Sequence, residues 1–289
     1  MKHTFSFLVL FFFIQFTGLS QYTEVGVFAG VSNYKGDLAP NFMEVQGYAP
    51  AFGAFGRYNF TGHFSVKMHF YKGILKGTDA YSQITKGNRA RNLSFRTDLY
   101  ELGLQVEYNF LNYDAVIGNH VTTPYVFGGV AGFYFNPQAE YDGQWFDLQP
   151  LGTEGQGLEG YASPYQKFSL GIPMGFGVKF NLSHSTNIGL EVGMRKTFTD
   201  YIDDVSTVYP DLNVLNEEKG GFAAALSYRT PEYDPKMATD PTGLERGDAK
   251  LKDWYFFGGV TISVNIGKAS GFENRQKRPR SRRKPKMEF

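Results

Sequence analysis

The side chains of this sequence that could carry out chemistry are charged residues spaced singly along apolar stretches. Glu101 and Glu107 are candidates for a catalytic pair, since glycoside hydrolysis uses two carboxyl groups flanking one bond. On one extended strand they would lie about 20 Å apart, at ~3.3 Å per residue, which is too far for that reaction. The sequence also lacks cysteine, G-x-S-x-G and H-E-x-x-H. We therefore predict no catalytic residues, no metal centre and no cofactor.

Two groups of residues could still attract a metal ion. One histidine falls in each shorter connection between predicted strands: His63, His120 and His184. Those turns would project from different parts of a rim, so we interpret their placement as chance. Three aspartates follow the seventh predicted strand: Asp200, Asp203 and Asp204. Carboxylate oxygens bind Ca²⁺, but we predict a solvated acidic loop at this position.

The elements that position these residues are β-strands, and residues 99–110 (LYELGLQVEYNF) are the clearest example. Apolar or aromatic side chains alternate there with Glu101, Gly103, Gln105, Glu107 and Asn109. A period of two is typical of a strand with two different faces. Soluble strands usually hold about 5–6 residues, whereas a tilted strand needs about 9–11 residues to cross a bilayer. The length of this run favours a membrane strand.

The same alternation recurs along the chain and predicts eight strands, at residues 22–33, 51–60, 63–70, 99–110, 123–135, 168–180, 188–194 and 254–266. Pro173 cannot donate to a strand ladder, so we expect a β-bulge there. Long and shorter connections alternate, as in outer-membrane barrels with short periplasmic turns and long external loops. We therefore predict an all-β fold, an eight-stranded antiparallel up-and-down transmembrane β-barrel over residues 21–267, with both termini in the periplasm.

The composition of the chain is typical of a membrane barrel, and its first residues are typical of an exported protein. Aromatic residues make up 17% of the chain, and the 34 glycines allow close packing inside a barrel. Residues 1–20 combine Lys2, a short apolar stretch and small residues before Gln21, which predicts a signal peptide. No later apolar run is long enough for a transmembrane helix. The alternative fold is a soluble lipocalin-like barrel, which would bury its apolar face instead.

Charged side chains of both signs lie on the polar faces of the predicted strands. They are Glu24, Arg57, Lys67, Glu101, Glu107, Lys179, Glu191 and Arg195. Opposite charges spread over several strands can pair with one another in a lumen, beside glycines that leave room. Because side chains can fill the interior of an eight-stranded barrel, we interpret these residues as structural ion pairs rather than a conduction path.

Several segments are more specific than strand alternation requires. They are YKGDL at 34–38, FNP at 135–137, LQPLGTEGQG at 148–157, EVGMR at 191–195 and TFTDYIDDVST at 197–207. In these segments the chain resembles the PorG-like outer-membrane barrels of the Bacteroidetes, which are associated with type IX secretion, over most of residues 22–267. The resemblance implies a non-catalytic outer-membrane subunit that contacts the periplasmic PorK–PorN ring.

Residues 268–289 have no counterpart in that family pattern and form a strongly basic tail. Nine Lys and Arg stand there against Glu273 and Glu288, with two prolines and few apolar residues. We predict a disordered periplasmic segment. Eight cations are its candidate partner-binding residues: Arg275, Lys277, Arg278, Arg280, Arg282, Arg283, Lys284 and Lys286. The alternative is a solvated extension that attracts anionic head groups.

Together these features predict an integral outer-membrane protein, surrounded by outer-membrane lipid and acting in the type IX secretion machinery without catalysis. We expect neither a nucleic-acid partner nor a small-molecule substrate. One alternative is a general surface barrel that binds a ligand or an adhesion partner through its long external loops. A membrane-embedded hydrolase or acyltransferase is a third hypothesis.

Overall fold

The structure, a computed structural model, describes residues 22–40, 45–81, 86–113, 121–183 and 185–266. The predicted signal peptide, the basic tail, His120 and His184 lie outside these residues. The strands are β1 (Tyr22–Lys35), β2 (Ala49–Asn59), β3 (Phe64–Thr78), β4 (Ser94–Asn109), β5 (Thr122–Tyr141), β6 (Gln144–Asp147), β7 (Phe168–Asn181), β8 (Thr186–Thr197) and β9 (Trp254–Ile266). The helices are α1 (Lys86–Arg91), α2 (Leu148–Leu151), α3 (Leu212–Lys219), α4 (Gly221–Ser227) and α5 (Thr230–Tyr233).

Eight of these strands close into an up-and-down barrel. Each pairs antiparallel with the next barrel strand in the chain, and β9 pairs with β1 to close the ring. Antiparallel neighbours need only simple loops between them, and closure leaves no unpaired sheet edge. The predicted fold, an eight-stranded antiparallel barrel, is confirmed.

The short strand β6 was not predicted. It folds back on the end of β5, with Tyr141 opposite Gln144. The turn between them is Asp142-Gly143, and both residues have positive φ, as a two-residue hairpin turn requires. The Asp-Gly pair is a recognised hairpin signal, so the sequence did contain the information for this strand.

The two faces of the barrel have the polarity of a membrane protein. On β4, Leu102, Leu104 and Val106 point outward and are about half exposed, whereas Glu101 and Glu107 point inward and are fully buried. A soluble barrel would have the opposite arrangement, so the lipocalin-like alternative is wrong. Outward aromatic residues lie near both ends of the apolar surface. Tyr100, Tyr134 and Phe168 form one cross-strand row, and Tyr58, Phe60, Phe64, Tyr108 and Phe110 lie at the other end. This is the pattern of a transmembrane barrel.

The predicted bulge at Pro173 is wrong. Pairing of β5 with β7 is interrupted opposite Gly129 and Val130, but the register is the same on both sides of the interruption. Pairing of β7 with β8 continues through Pro173 without a shift. The missing N–H therefore opens a gap in one ladder and inserts no extra residue.

Three strands extend furthest beyond their predicted ends at one rim. β3 continues to Thr78, β4 begins at Ser94 and β5 continues to Tyr141. The added outward positions include the exposed cations Lys76 and Arg96. The alternation of apolar side chains stops where a strand leaves the hydrocarbon region. The sequence pattern therefore could not predict these strand extensions.

The connections at this same rim form a folded cap, which we define as the described residues of 36–48, 79–93, 142–167 and 198–253. The cap contains β6, the five helices and single 3₁₀ turns at Val45–Gly47, Asp79–Tyr81 and Pro235–Met237. The opposite rim carries the three shorter connections and the ends of β1 and β9. Within the described ranges, no helix is both long and apolar enough to span a bilayer.

Replacing Leu104 by Arg tests the orientation of β4. The side chain is 49% exposed on the apolar surface, and a cation near the bilayer midplane costs about 2–4 kcal/mol. Reversible unfolding from lipid vesicles should show this loss for Leu104→Arg. Leu251→Arg, at a 69% exposed position of the cap, is the control and should be near neutral. Wild-type stability of Leu104→Arg would contradict the orientation.

Candidate functional site

The barrel interior contains all eight of the charges that the sequence placed on the polar strand faces. Their side chains are at most 3% exposed. Four are glutamates and four are lysines or arginines: Glu24, Glu101, Glu107 and Glu191, with Arg57, Lys67, Lys179 and Arg195. If all are ionised, the group is neutral as a whole. A buried charge without a partner costs several kcal/mol, so this balance is a requirement of the fold.

The part of this charge network nearest the short-connection rim is centred on Arg57 and Glu107. Arg57 lies 2.7 Å from Glu24 and 2.9 Å from Glu107. Lys179 forms a second ion pair with Glu107 and donates to Asn109 over 2.9 Å. Glu24 also accepts a hydrogen bond from Ser263 at 2.7 Å. Opposite charges on β1, β2, β4 and β7 therefore neutralise one another across the lumen.

The part nearest the cap is centred on Glu101. Arg195 lies 3.1 Å from its carboxylate, His69 lies 2.7 Å away, and the Tyr255 hydroxyl donates to it over 2.5 Å. Between the two parts, Lys67 pairs with Glu191, which also accepts from Tyr125 at 2.7 Å. His69 was placed in the lumen by the sequence, but its role as a partner of Glu101 was not foreseen.

This geometry argues against catalysis or conduction by the lumen charges. Glu101 and Glu107 belong to separate ion-pair groups and do not face each other across a space for substrate. Their oxygens are taken up by Arg, Lys, His and Tyr side chains. Aromatic rings lie beside these charges, with Lys67 within 6 Å of the rings of Phe55, Tyr71 and Phe127. The lumen charges therefore bind one another and are not directed at an open space.

The cap contains a second group of buried polar residues, and the prediction of a solvated acidic loop is wrong there. Asp200, Asp203 and Asp204 are at most 2% exposed. Asp200 accepts from the Ser206 hydroxyl at 2.7 Å, and Asp204 accepts from the Tyr165 hydroxyl at 2.7 Å. Each carboxylate has different partners, so the three do not converge as calcium ligands. Nowhere in the described ranges do three or more His, Asp or Glu side chains form a possible metal site.

Two segments that the sequence singled out are bound to each other within the cap. The Glu154 carboxylate accepts from the backbone N–H groups of Ser206 and Thr207, at 2.8 and 3.1 Å, and from the Thr207 hydroxyl at 2.6 Å. Arg246 lies 3.0 Å from Glu154, and the Thr153 hydroxyl donates to Asp204. Residues 148–157 and 197–207 therefore form one interlocked unit above the barrel.

Asp203 and Asp253 share a single phenol as a hydrogen-bond partner. The Tyr34 hydroxyl lies 2.5 Å from Asp203 and 3.1 Å from Asp253, and all three side chains are fully buried. One hydroxyl has one proton to donate, so the second contact requires a proton on a carboxyl group. Burial raises the pKa of both carboxyls well above the ordinary range. Burial and the shared phenol therefore favour the protonated form of a carboxyl group here.

Most of the other predicted residues lie outside the described ranges. His63 bonds to the backbone oxygen of Asn109 at 2.9 Å, and the other two turn histidines lie outside the described residues. The tail cations Arg275, Lys277, Arg278, Arg280, Arg282, Arg283, Lys284 and Lys286 also lie outside them.

A family model described as "Domain of unknown function (DUF6089)" matches residues 2–221 of the chain. No curated protein matches the sequence.

Several solved barrels are similar at low identity. The N-terminal β-barrel domain of OprF from Pseudomonas aeruginosa is 11% identical, with 86% of this chain and 98% of that chain covered and a TM-score of 0.36. Neisserial surface protein A is 8% identical, with 84% and 97% covered and a TM-score of 0.42. Ail from Yersinia pestis is 8% identical, with 86% and 99% covered and a TM-score of 0.38. The strand pairing of this chain itself shows the barrel fold.

Replacing Glu107, which binds both Arg57 and Lys179 in the lumen, should destabilise the barrel strongly. Glu107→Gln leaves Arg57 and Lys179 buried without their shared carboxylate, and breaking a buried pair costs about 3–5 kcal/mol. Asp98→Asn is the matched control on the same strand. Asp98 pairs with Lys72, and both side chains are over 40% exposed, so the loss of this ion pair should cost under about 1 kcal/mol. Equal urea midpoints for the two variants in lipid would contradict the charge-balance account.

The cap should be more stable at pH 5 than at pH 8. Burial raises the pKa of Asp200 to about 7 and that of Asp204 to about 6. A raised pKa means that the folded cap binds the proton more tightly than the unfolded chain does. This stabilisation is complete below about pH 4 and is lost as pH rises through the raised values.

Hydrogen exchange of residues 198–253, corrected for intrinsic rates, measures this pH dependence. Protection should fall from pH 5 to pH 8, and Asp200→Asn should flatten the profile. Asp211→Asn, at the N-cap of α3, is the control and should leave the profile as in the wild type. Protection that rises with pH would refute the assignment.

Proposed function

The chain belongs to the DUF6089 family, and we propose that it is a non-catalytic, integral outer-membrane component of the type IX secretion machinery. The charges buried in its lumen are one ground for this proposal. Its barrel anchors the protein in the membrane, and its cap lies at one rim, where it can contact other components. The single observation that supports the anchoring role is the network of buried ion pairs inside the barrel, in which the charged side chains bind one another.

The role in secretion is supported by the resemblance to PorG-like barrels in specific segments of the sequence. The two most specific of these, residues 148–157 and 199–207, are joined through Glu154 in the cap. A shared sequence pattern in two segments that fold together is more informative than the same pattern in two unrelated loops. The family description itself adds nothing on secretion.

The proposed partners are periplasmic ring proteins of the PorK and PorN type. Both ends of the described barrel, Tyr22 and Ile266, are at the rim with the shorter connections, which the proposal places in the periplasm. The tail would then emerge on that side, where its nine cations could bind an acidic protein surface. Screening within about 8 Å at physiological salt makes such binding sensitive to ionic strength.

A second candidate function is supported by the cap itself. Phe222 and Trp145 are 53% and 47% exposed, and Phe222 stacks on Phe146 with ring centroids 4.8 Å apart. A folded cap with exposed aromatic residues can serve as a surface for a ligand or an adhesion partner. In that case the barrel would have no part in secretion.

Deleting the gene and measuring secreted proteins separates the two functions. Under the proposal, secretion falls in the deletion strain and is restored by the full chain. A chain truncated after Gly267 should insert into the outer membrane but should not retain the ring proteins on purification at moderate salt. A full-length chain with the eight tail cations replaced by Gln is the length-matched control and should behave like the truncation.

Two outcomes would count against this function. Normal secretion in the deletion strain would contradict a secretion role and favour the surface-binding alternative. Full retention of the ring proteins by the truncated chain would show that the tail is not the contact.

A further inference from the structure

Two cations lie directly opposite each other on the outer face of the barrel. Lys76 on β3 is the cross-strand partner of Arg96 on β4, and both side chains are exposed. Like charges in this position are destabilising. No carboxylate in the described part of the chain forms an ion pair with either of them, because the nearby Asp98 pairs with Lys72 at 3.4 Å. The pair therefore forms a strongly positive site that a bound anion would stabilise.

The height of this pair places it among lipid headgroups. Tyr100, in the outward aromatic row that borders the apolar surface, lies four residues from Arg96 along β4. That spacing corresponds to about 13 Å along the strand and less along the tilted barrel axis. Lys72 is the register partner of Tyr100 and therefore lies level with the aromatic row. Interfacial aromatic residues sit at headgroup level, so an anionic headgroup could reach both cations.

An apolar groove lies below the same strands, on the membrane-facing surface. It encloses about 610 Å³ and is lined by Met68, Leu102, Leu104, Val130, Leu170 and Ile172, among others. Gly132 forms its floor between Leu102 and Leu170, its register partners on β4 and β7. The groove lies where the pairing of β5 with β7 is interrupted. Because its lining is apolar, the groove is suited to an acyl chain.

The other rim differs in charge. Its outward aromatic residues, including Tyr58, Phe64 and Tyr108, are about 40–50% exposed. Within the described ranges, no Lys or Arg points outward beyond them. The cationic site therefore distinguishes one leaflet from the other and is not a general property of the barrel surface.

We propose that the outer face of β3, β4 and β5 binds one anionic membrane lipid, with its phosphate between Lys76 and Arg96 and one acyl chain in the groove at Gly132. The phosphate neutralises the like-charged pair, and the chain fills space that outward side chains leave open. Each basic residue near a membrane surface contributes about 1 kcal/mol toward anionic lipid, which corresponds to about fivefold in affinity.

Native mass spectrometry of the full chain in neutral detergent tests this proposal. Phosphatidic acid, which carries a phosphomonoester, should bind as one tightly held lipid, with higher affinity than phosphatidylcholine of the same chains. Lys76→Ala combined with Arg96→Ala should weaken phosphatidic acid about tenfold or more and leave phosphatidylcholine unchanged. These changes remove a repulsion, so folding should not suffer.

Two further variants separate this site from general attraction. Gly132→Val should narrow the groove and weaken both lipids, since the atoms nearest its added carbon belong to the Phe168 ring and the Leu170 side chain, not to the backbone. Lys196→Ala removes an exposed cation 6.0 Å from the Trp254 ring on another part of the barrel and should change neither affinity. Equal binding of the two lipids, wild-type affinity in the double variant, or an equal loss with Lys196→Ala would overturn the proposal.

Discussion

Charge balance inside a barrel closed to solvent is the constraint on which the rest of this structure depends. Four glutamates and four lysines or arginines are buried in the lumen, and each needs an opposite charge within reach because desolvation alone is unfavourable. A slip of one residue in any strand would turn its charges toward the lipid and its apolar side chains inward. The ion pairs between Arg57 and Glu107, and between Arg195 and Glu101, therefore fix strand register as well as neutralising charge.

The cap differs from the barrel because its buried charges are not balanced by ion pairs. Its buried acids outnumber the two arginines that pair with them there, Arg91 and Arg246. Backbone N–H groups and hydroxyls, including that of Tyr34, provide hydrogen bonds to the acids that have no cation. The barrel is thus held by ion pairs, whereas the cap relies more on hydrogen bonds to its buried acids.

The sequence predicted the barrel strands and their inward charges because a period of two is a local property. It did not predict which charges meet, since Glu101 and Arg195 are 94 residues apart and join only through closure of the barrel. The burial of Asp203 was missed for the same reason, because its partner Tyr34 lies 169 residues away. The hairpin at Asp142-Gly143 was a local signal that was overlooked. The bulge at Pro173 was wrong because the lost hydrogen bond left the register unchanged.

The central claim is that the lumen is filled and neutralised by its own side chains. Planar-bilayer recordings of the purified full chain test it most directly, because an open charged pore of this strand number would conduct ions. The account predicts no steady current above that of the protein-free bilayer over a range of voltages. A steady, large, ohmic conductance that scales with the number of inserted barrels would contradict it.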